Sequence, residues 1–394
     1  MNVPGLWTRT YYDTSLMWVQ LVLFSPIPSS AITLVRRYPP QPCDARLDRR
    51  YSVDSALGKP DLLRQNLAAS DSGASIEVPG RCPACGGTET RLLFSATDRP
   101  HATTDTVFQI VECRQCRLIR LHPQPVPGEL HAHYPPGYWL VPGTTVTDRL
   151  RHWFRRLVLH DHLHFVERAL NESESPGLVL DVGCGDGLFL EMLAERGRTN
   201  VAGLDFSPEA ATAAWTRAGV PAICGTLSPA PFAPGSCALI TMFQVLEHLS
   251  HPVNYLDAAR ELLAPEGRLI VQVPNVASWQ FLLLGEHWNG IDVPRHLLDF
   301  RLADLEALLV KCGFEVLRRK HFSLRDNPAG MASSLAPRLD PMARRLRHTA
   351  ETTGARLLKD VIFLALAVAC LPFTLLEAAC RAGSTVMVEA RKKS

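Results

Sequence analysis

The stretch Gly177-Leu-Val-Leu-Asp181-Val-Gly183-Cys184-Gly185-Asp186-Gly187-Leu-Phe-Leu190 decides the fold. Its apolar run suits a central parallel strand buried on both faces, and the three glycines that follow let backbone approach a ligand where a Cβ would clash. A helix then starts near Leu188. Twenty residues beyond Gly185, Val201-Ala-Gly-Leu-Asp205-Phe206-Ser207 ends a second strand on a carboxylate. An acid there can accept hydrogen bonds from both hydroxyls of a ribose, which points to an adenosine-type cofactor.

Nicotinamide dehydrogenases combine a glycine turn and an acid at similar spacing. Three details favour another cofactor. Asp181 stands two residues before the first glycine, the spacing is Gly-x-Gly-x-Gly, and Asp186 in the turn would repel a pyrophosphate but suits a cationic sulfonium. At this point the chain resembles the class I S-adenosylmethionine-dependent methyltransferases. The resemblance continues through Ala238 to His248, with its Val245-Leu246-Glu247-His248 turn after a fourth strand, and through Leu263 to Asn275 as a helix end and fifth strand. Leu302 to Gly313 reads as a helix, Phe314 to Lys320 as a sixth strand and Thr385 to Arg391 as a seventh. The likeness covers residues 150–392 and implies an α/β fold: a Rossmann-like seven-stranded sheet with helices on both faces. It assigns cofactor binding to Asp181, Gly183, Cys184, Gly185, Gly187, Asp205 and Phe206, with Phe243 and Gln244 beside the methionine part.

In front of this region, Cys82-Pro-Ala-Cys85 and Cys113-Arg-Gln-Cys116 form two Cys-x-x-Cys knuckles separated by 27 residues. Four thiolates at that spacing can close a tetrahedral Zn²⁺ site, and Thr90 to Phe94 and Thr106 to Cys113 read as the strands of a zinc ribbon. Unliganded or redox-active knuckles are the alternatives, and neither accounts for two of them. Four protein ligands leave no position for water, so the role expected of Cys82, Cys85, Cys113 and Cys116 is structural. The ribbon, then Pro123-x-Pro125 and Tyr134-Pro-Pro-Gly-Tyr138, is similar to a subgroup of methyltransferases that includes sugar C-methyltransferases acting on nucleotide-linked deoxysugars. Where those enzymes often carry an acid after the third strand, this chain has Gly225-Thr226-Leu227.

Methyl transfer from a sulfonium is an in-line displacement with a good leaving group. The protein must align nucleophile and methyl at about 3 Å and remove a proton. An unperturbed histidine titrates near neutrality, so His296 and His248 are the candidate bases. His296 belongs to the connection after the fifth strand, which in this fold faces the substrate; a helix-capping or structural role is its alternative. His248 has the alternative of fixing the loop over the cofactor. Four further histidines, His152, His160, His162 and His164, read as a solvated basic helix face, although His160 and His164 are i,i+4 neighbours that could share a metal.

Working outward, residues 1–75 carry several prolines and no sustained periodicity and read as an irregular extension. Their apolar run Leu16 to Phe24, about 14 Å if helical, is too short to span a bilayer. Residues 76–140 are expected to be the ribbon, 148–325 the cofactor-binding core, and 326–394 an apolar helix and last strand completing it. The run Val361 to Leu376 would reach about 24 Å, short of the ~30 Å a spanning helix needs, and is expected to be a buried helix; peripheral membrane contact, helped by Arg344, Arg345, Arg347, Arg356 and Lys359 before it, and a true span are the alternatives.

The chain has 394 residues and 41 Lys plus Arg against 39 Asp plus Glu, a formal charge of +2. Such balance argues against a nucleic-acid partner. Eleven cysteines, an odd number with two Cys-x-x-Cys pairs, argue against a secreted disulfide framework and for a cytoplasmic protein, with membrane association as the open alternative. The expected acceptor is a small molecule, a nucleotide-linked sugar or a glycan- or lipid-linked compound. Ubiquinone-pathway O-methyltransferases share the Val-Leu-Glu-His pattern, which makes a quinone or lipid acceptor the nearest rival. A catalytically idle ribbon that recognises a partner is the rival from another class.

Overall fold

The computed structural model describes residues 76–77, 81–135, 138, 146–173, 175–347 and 351–393. The expected irregular head and its run from Leu16 to Phe24 lie outside the described residues. In chain order the first strands are β1 (Ile76–Glu77), β2 (Glu89–Ala96), β3 (Phe108–Cys113) and β4 (Ile119–His122). Then come β5 (Leu178–Val182), β6 (Val201–Asp205), β7 (Ala222–Cys224), β8 (Cys237–Phe243) and β9 (Leu263–Pro274). The last are β10 (Leu298–Asp299), β11 (Phe314–Lys320) and β12 (Thr385–Lys392).

Seven of these form one sheet in the order β11-β12-β9-β8-β5-β6-β7. β5 runs parallel to β6 and β8, and β8 parallel to β9, while β12 inserts antiparallel between β9 and β11. All five residues of β5 are buried, as a strand covered on both faces requires. One face packs Leu180, Ile240 and Leu269 together with Phe300 and Phe314. On the other face lies α1 (Val146–Ser173), whose Leu159, Leu163, Val166 and Leu170 follow a helical period and meet Leu190 and Leu193 of α2 (Leu188–Glu195). The sheet order reverses at β5, so the crevice outside the carboxyl ends of β5, β6 and β8 is the topological switch point where ligands of such sheets bind. The expected α/β architecture with helices on both faces is the observed one.

The remaining strands form a second sheet, β1-β2-β3-β4-β10. Its last strand comes from the connection after β9: Leu298 pairs with Arg120 and Asp299 with Ile119. Ile110, Ile119 and Leu121 of the cysteine-bearing region belong to the same hydrophobic core as Leu180 and Phe300. Glu112, 2% exposed, gathers Arg91, Arg117 and Arg301, the last from the entry to α6 (Leu302–Lys311). The front module is therefore built into the wall of the main domain.

The chain ends through α7 (Asn327–Leu335), α8 (Pro341–Leu346) and α9 (Thr353–Ala379) before β12. The expectation of a buried C-terminal helix fails. α9 is long and apolar enough to cross a membrane by length and composition, yet only 17% of its apolar window is buried. Cys370, Thr374 and Glu377 form its inward stripe, whereas Leu357, Val361, Leu364 and Val368 face outward. Apolar composition cannot distinguish a helix facing protein from one facing another apolar phase. Much of the expected basic lead-in is also engaged internally: Arg344 pairs with Glu351 and Asp360, and Lys359 with Glu351.

Candidate active site

At the switch point lies a cavity of about 240 Å³, lined on the sheet side by Asp181, Gly183, Cys184, Gly185 and Phe243. Among the other sequence-expected cofactor residues, Gly187, Asp205, Phe206 and Gln244 do not line it. Gly185 has φ 55° and open space where a Cβ would point, so a ligand can lie against its backbone. Gly187 serves packing instead, since a Cβ there would come 2.9 Å from Cβ of Ala214. The Cys184 side chain packs against Gly203, leaving its backbone for the ligand. Asp205 accepts from the amides of Gly185 and Ser207, both at 2.9 Å. Each of its oxygens keeps a lone pair for a ribose hydroxyl. Phe206 beside it is half exposed and meets the Tyr134 ring edge-on at 5.7 Å. Gln244 has φ 58°, a left-handed conformation rare for a non-glycine residue, at the point where β8 turns into the Glu247-His248 segment.

The cavity carries two carboxylates and two guanidiniums. Asp181, fully buried, accepts from Thr241 Oγ1 at 2.6 Å, and burial pushes its pKa up to about 7. Asp186 does not act as the free negative charge expected from the sequence: Arg155 of α1 grips it through two bonds of 2.6 and 2.8 Å. Arg325, paired with Asp326 at 2.9 Å, also lines the cavity. A zwitterionic amino-acid group finds partners of both signs here. Sequence reading missed Arg155 and Arg325 because neither lies in a motif; both arrive from helical or loop segments far along the chain.

Phe243 is held from behind. His162 is fully buried, donates from Nδ1 to Asp161 at 2.8 Å and meets the Phe243 ring edge-on at 5.0 Å. The expected solvated face holds for His160 and His164, which are exposed, but not for His162 between them. Burial of β8's flank by α1 is the reason, since residues two apart lie on different sides of a helix.

Tyr138 joins the cavity to the two candidate bases. Its ring packs edge-on against Tyr134 at 4.9 Å, and the Tyr134 hydroxyl lies 3.2 Å from Nδ1 of His248. The imidazoles of His248 and His296 stack edge-to-face at 4.8 Å. His248 Nδ1 also reaches the carbonyl of Arg295 at 2.9 Å, and His296 Nδ1 that of Gly290 at 2.9 Å. Burial lowers the pKa of His248 to about 3 and that of His296 below its ordinary value, so both are neutral imidazoles. Neither histidine lines the cofactor cavity; the structure brings them together one ring beyond it. Beneath them Arg295, fully buried, bonds Asp98, Asp292 and the carbonyls of His133 and Val293.

The four expected metal ligands also converge. Sγ of Cys82 lies 3.5 Å from that of Cys116, and Sγ of Cys85 lies 3.6 Å from that of Cys113. All four sulfurs fall within 4.8 Å of one another. At a Zn–S distance of about 2.3 Å a tetrahedron has edges of about 3.7 Å, so the donors fit that ion. The amide of Gly87 points at Cys85 Sγ from 3.4 Å, as knuckle amides do toward thiolates.

Comparison with known proteins gives the family. Residues 150–319 match a family described as a methyltransferase domain. A ubiquinone biosynthesis O-methyltransferase of Xylella fastidiosa is 31% identical over 213 residues, covering 50% of this chain and 75% of that protein. The chain belongs to the class I S-adenosylmethionine-dependent methyltransferases. A probable S-adenosylmethionine-dependent methyltransferase of Mycolicibacterium smegmatis is 30% identical over 171 residues, which span 42% of this methyltransferase and 60% of the relative's length. Among solved structures, a SAM-dependent methyltransferase from Archaeoglobus fulgidus aligns with a TM-score of 0.38 at 15% identity, over 59% of this chain and 94% of that one.

Proposed function

We propose that this methyltransferase transfers a methyl group from S-adenosylmethionine to an oxygen of an apolar, lipid-borne acceptor at a membrane surface. The observation that carries the acceptor class is the outward apolar face of α9, together with its ties to the active site. Glu377 of α9 accepts from the amide and side chain of Gln280 in α5 (Trp279–Leu284), whose Leu282 and Leu283 are 74% and 67% exposed. Ser334 of α7, the helix packed on α9, accepts from the amide of Asn289 in the connection that carries His296. An apolar phase against α9 would thus lie beside the acceptor loop. The naming of relatives as ubiquinone biosynthesis O-methyltransferases supports the same class.

S-adenosylmethionine supplies an electrophilic methyl on a sulfonium, open to in-line attack. Asp181 and Asp205 would hold the cofactor through opposite charge and hydrogen bonds to its ribose, and Arg325, with Arg155 beside Asp186, would meet its carboxylate. Phe243, fixed by His162, keeps water from the methyl. His248 and His296 face the acceptor hydroxyl. Cys82, Cys85, Cys113 and Cys116 would hold a structural Zn²⁺, which would help keep β4 against β10 and hence the acceptor loop in place.

Flotation of the full chain with liposomes tests the acceptor class, comparing wild type with a variant carrying Val361→Asp, Leu364→Asp and Val368→Asp on the outward face. Wild type should float and the variant should not. Equal behaviour, or a labelled methyl recovered from cell extract only in a water-soluble nucleotide sugar, would sink the lipid reading. Calorimetry with S-adenosylmethionine separately tests the idle-module alternative.

A further inference from the structure

Four arginines from three segments gather beside the cofactor cavity: Arg151 and Arg155 of α1, Arg345 of α8 and Arg356 in the first turn of α9. Burial and the like charges of Arg151, Arg356 and Arg155 push the pKa of Arg345 below that of a free guanidinium, with Asp340 opposing. A guanidinium keeps its proton in a protein, so the repulsion is a standing cost unless an anion answers it.

The carboxylates nearby are committed elsewhere. Asp186 neutralises Arg155 through its two bonds. Asp360 lies 4.0 Å from Arg151 but pairs more closely with Arg344. Asp340 caps α8, accepting from the amides of Met342 and Ala343 and from the Ser333 hydroxyl. Among the described residues neither Arg345 nor Arg356 forms an ion pair with a carboxylate. Nε of Arg345 is buried without a hydrogen-bond partner, and its Nη2 reaches the Tyr138 carbonyl at a long 3.4 Å.

Position ties the cluster to the reaction. Arg155 and Tyr138 both line the cofactor cavity, and Tyr138 is the residue that Arg345 touches. Arg356 runs into Leu357 and Leu358, and Arg151 stands among Leu150, Trp153 and Phe154, all of them exposed. The arginines therefore connect the cavity with the outward apolar surface of α9. One carboxylate satisfies one guanidinium, as Asp186 does for Arg155. Two guanidiniums left over, with Arg151 beside them, match an anion of about two charges whose oxygens accept from several donors at once, as a phosphate ester or diphosphate does.

We propose that Arg345 and Arg356, with Arg151 beside them, bind the phosphate or diphosphate group of a lipid-linked acceptor and so hold its head at the cofactor cavity. This rests on the reading of a lipid-borne acceptor and names the group that joins the lipid to the methylated end.

The test measures binding of the full-length chain to phosphatidylcholine vesicles carrying a polyprenyl phosphate, against vesicles given the same surface charge by phosphatidylglycerol. Wild type, Arg345→Gln, Arg356→Gln and the double variant are compared. Calorimetry on the same samples follows inorganic pyrophosphate as the soluble probe and S-adenosylmethionine as a check on the fold. Wild type should prefer the polyprenyl phosphate vesicles and should bind pyrophosphate. Each arginine lost should weaken both by about tenfold, the effect of one charge-assisted hydrogen bond, with cofactor affinity kept. Equal binding to the two kinds of vesicle overturns the site and leaves a general attraction for anionic lipid. Binding unchanged in a double variant that still takes cofactor also overturns it. Arg356 is exposed, so a loss of cofactor affinity in Arg356→Gln as large as its loss of pyrophosphate would assign the cluster to the cofactor's own carboxylate and overturn it too. A chain that binds pyrophosphate through both arginines but no vesicle upholds the phosphate site and removes the lipid reading instead.

Discussion

Arg295 and Asp98, 197 residues apart, meet with both side chains fully buried and two bonds of 2.7 and 3.2 Å between them. Asp98 follows β2 of the front module, whereas Arg295 precedes His296 in the acceptor loop. The pair therefore fixes the position of one candidate active-site residue from a segment outside the cofactor-binding sheet. Arg295→Met should destabilise the chain by about 3–5 kcal/mol, because Asp98 and Asp292 would be left buried without a cation. Urea unfolding of wild type and variant measures it. The guanidinium holds both carboxyls below the usual carboxylate range, so this stabilisation is full at neutral pH and is lost as pH falls below the carboxylates' unfolded values. A loss under 1 kcal/mol at pH 7 would contradict the assignment.

Zinc removal should reach beyond the ribbon. Replacing Cys113 and Cys116 with Ser removes two of four ligands and with them most of a binding energy on the order of 10 kcal/mol. Since β4 pairs with β10, the acceptor loop should loosen with the module, so methyl transfer should fall more than tenfold while the metal content drops by one zinc. Elemental analysis and a turnover assay check both together. Full turnover in a zinc-free variant would mean that the loop holds itself.

The parallel strands, the glycine turn, the place of Asp205 at a strand end and the convergence of four cysteines were legible in the sequence because each follows from a local pattern of spacing. β10 was not, since two residues carry no periodicity and their pairing with β4 is decided by tertiary contact. Tyr134 and Tyr138 were noted as a family feature, yet nothing local says that Tyr134 would reach His248. Arg155 stands on α1 with no motif around it, and only its bidentate contact with Asp186 places it on the cavity. The outward face of α9 was misread for a different reason: hydropathy reports that a helix leaves water, not where it goes.

His296→Ala should lower turnover by about 10²–10⁴-fold, the range expected when a group that handles the acceptor's proton is lost. Cofactor affinity should stay within about twofold, because the His296 ring lies outside the cavity that Asp181, Gly183 and Phe243 line. Steady-state kinetics and calorimetry on one preparation separate the two. Turnover at the wild-type rate would remove His296 from the chemistry and leave its bond to the Gly290 carbonyl as a loop-fixing contact.

Asp181 makes cofactor affinity depend on pH. Burial raises its pKa to about 7, with the like charge of Asp205 adding to the effect, while Thr241 opposes it. Below that pH the free enzyme carries a neutral carboxyl, which has little attraction for a cationic ligand; above it the carboxylate is ionised and attracts one. A cation arriving beside it favours the ionised form, so binding near pH 6 must expel a proton. If only the ionised form binds, affinity at pH 6 should be about tenfold weaker than at pH 8. Proton release should appear as a dependence of calorimetric heat on the ionisation enthalpy of the buffer. Asp181→Asn should bind weakly at both pH values and lose the proton release. An unchanged pH profile in that variant would move the dependence to another group.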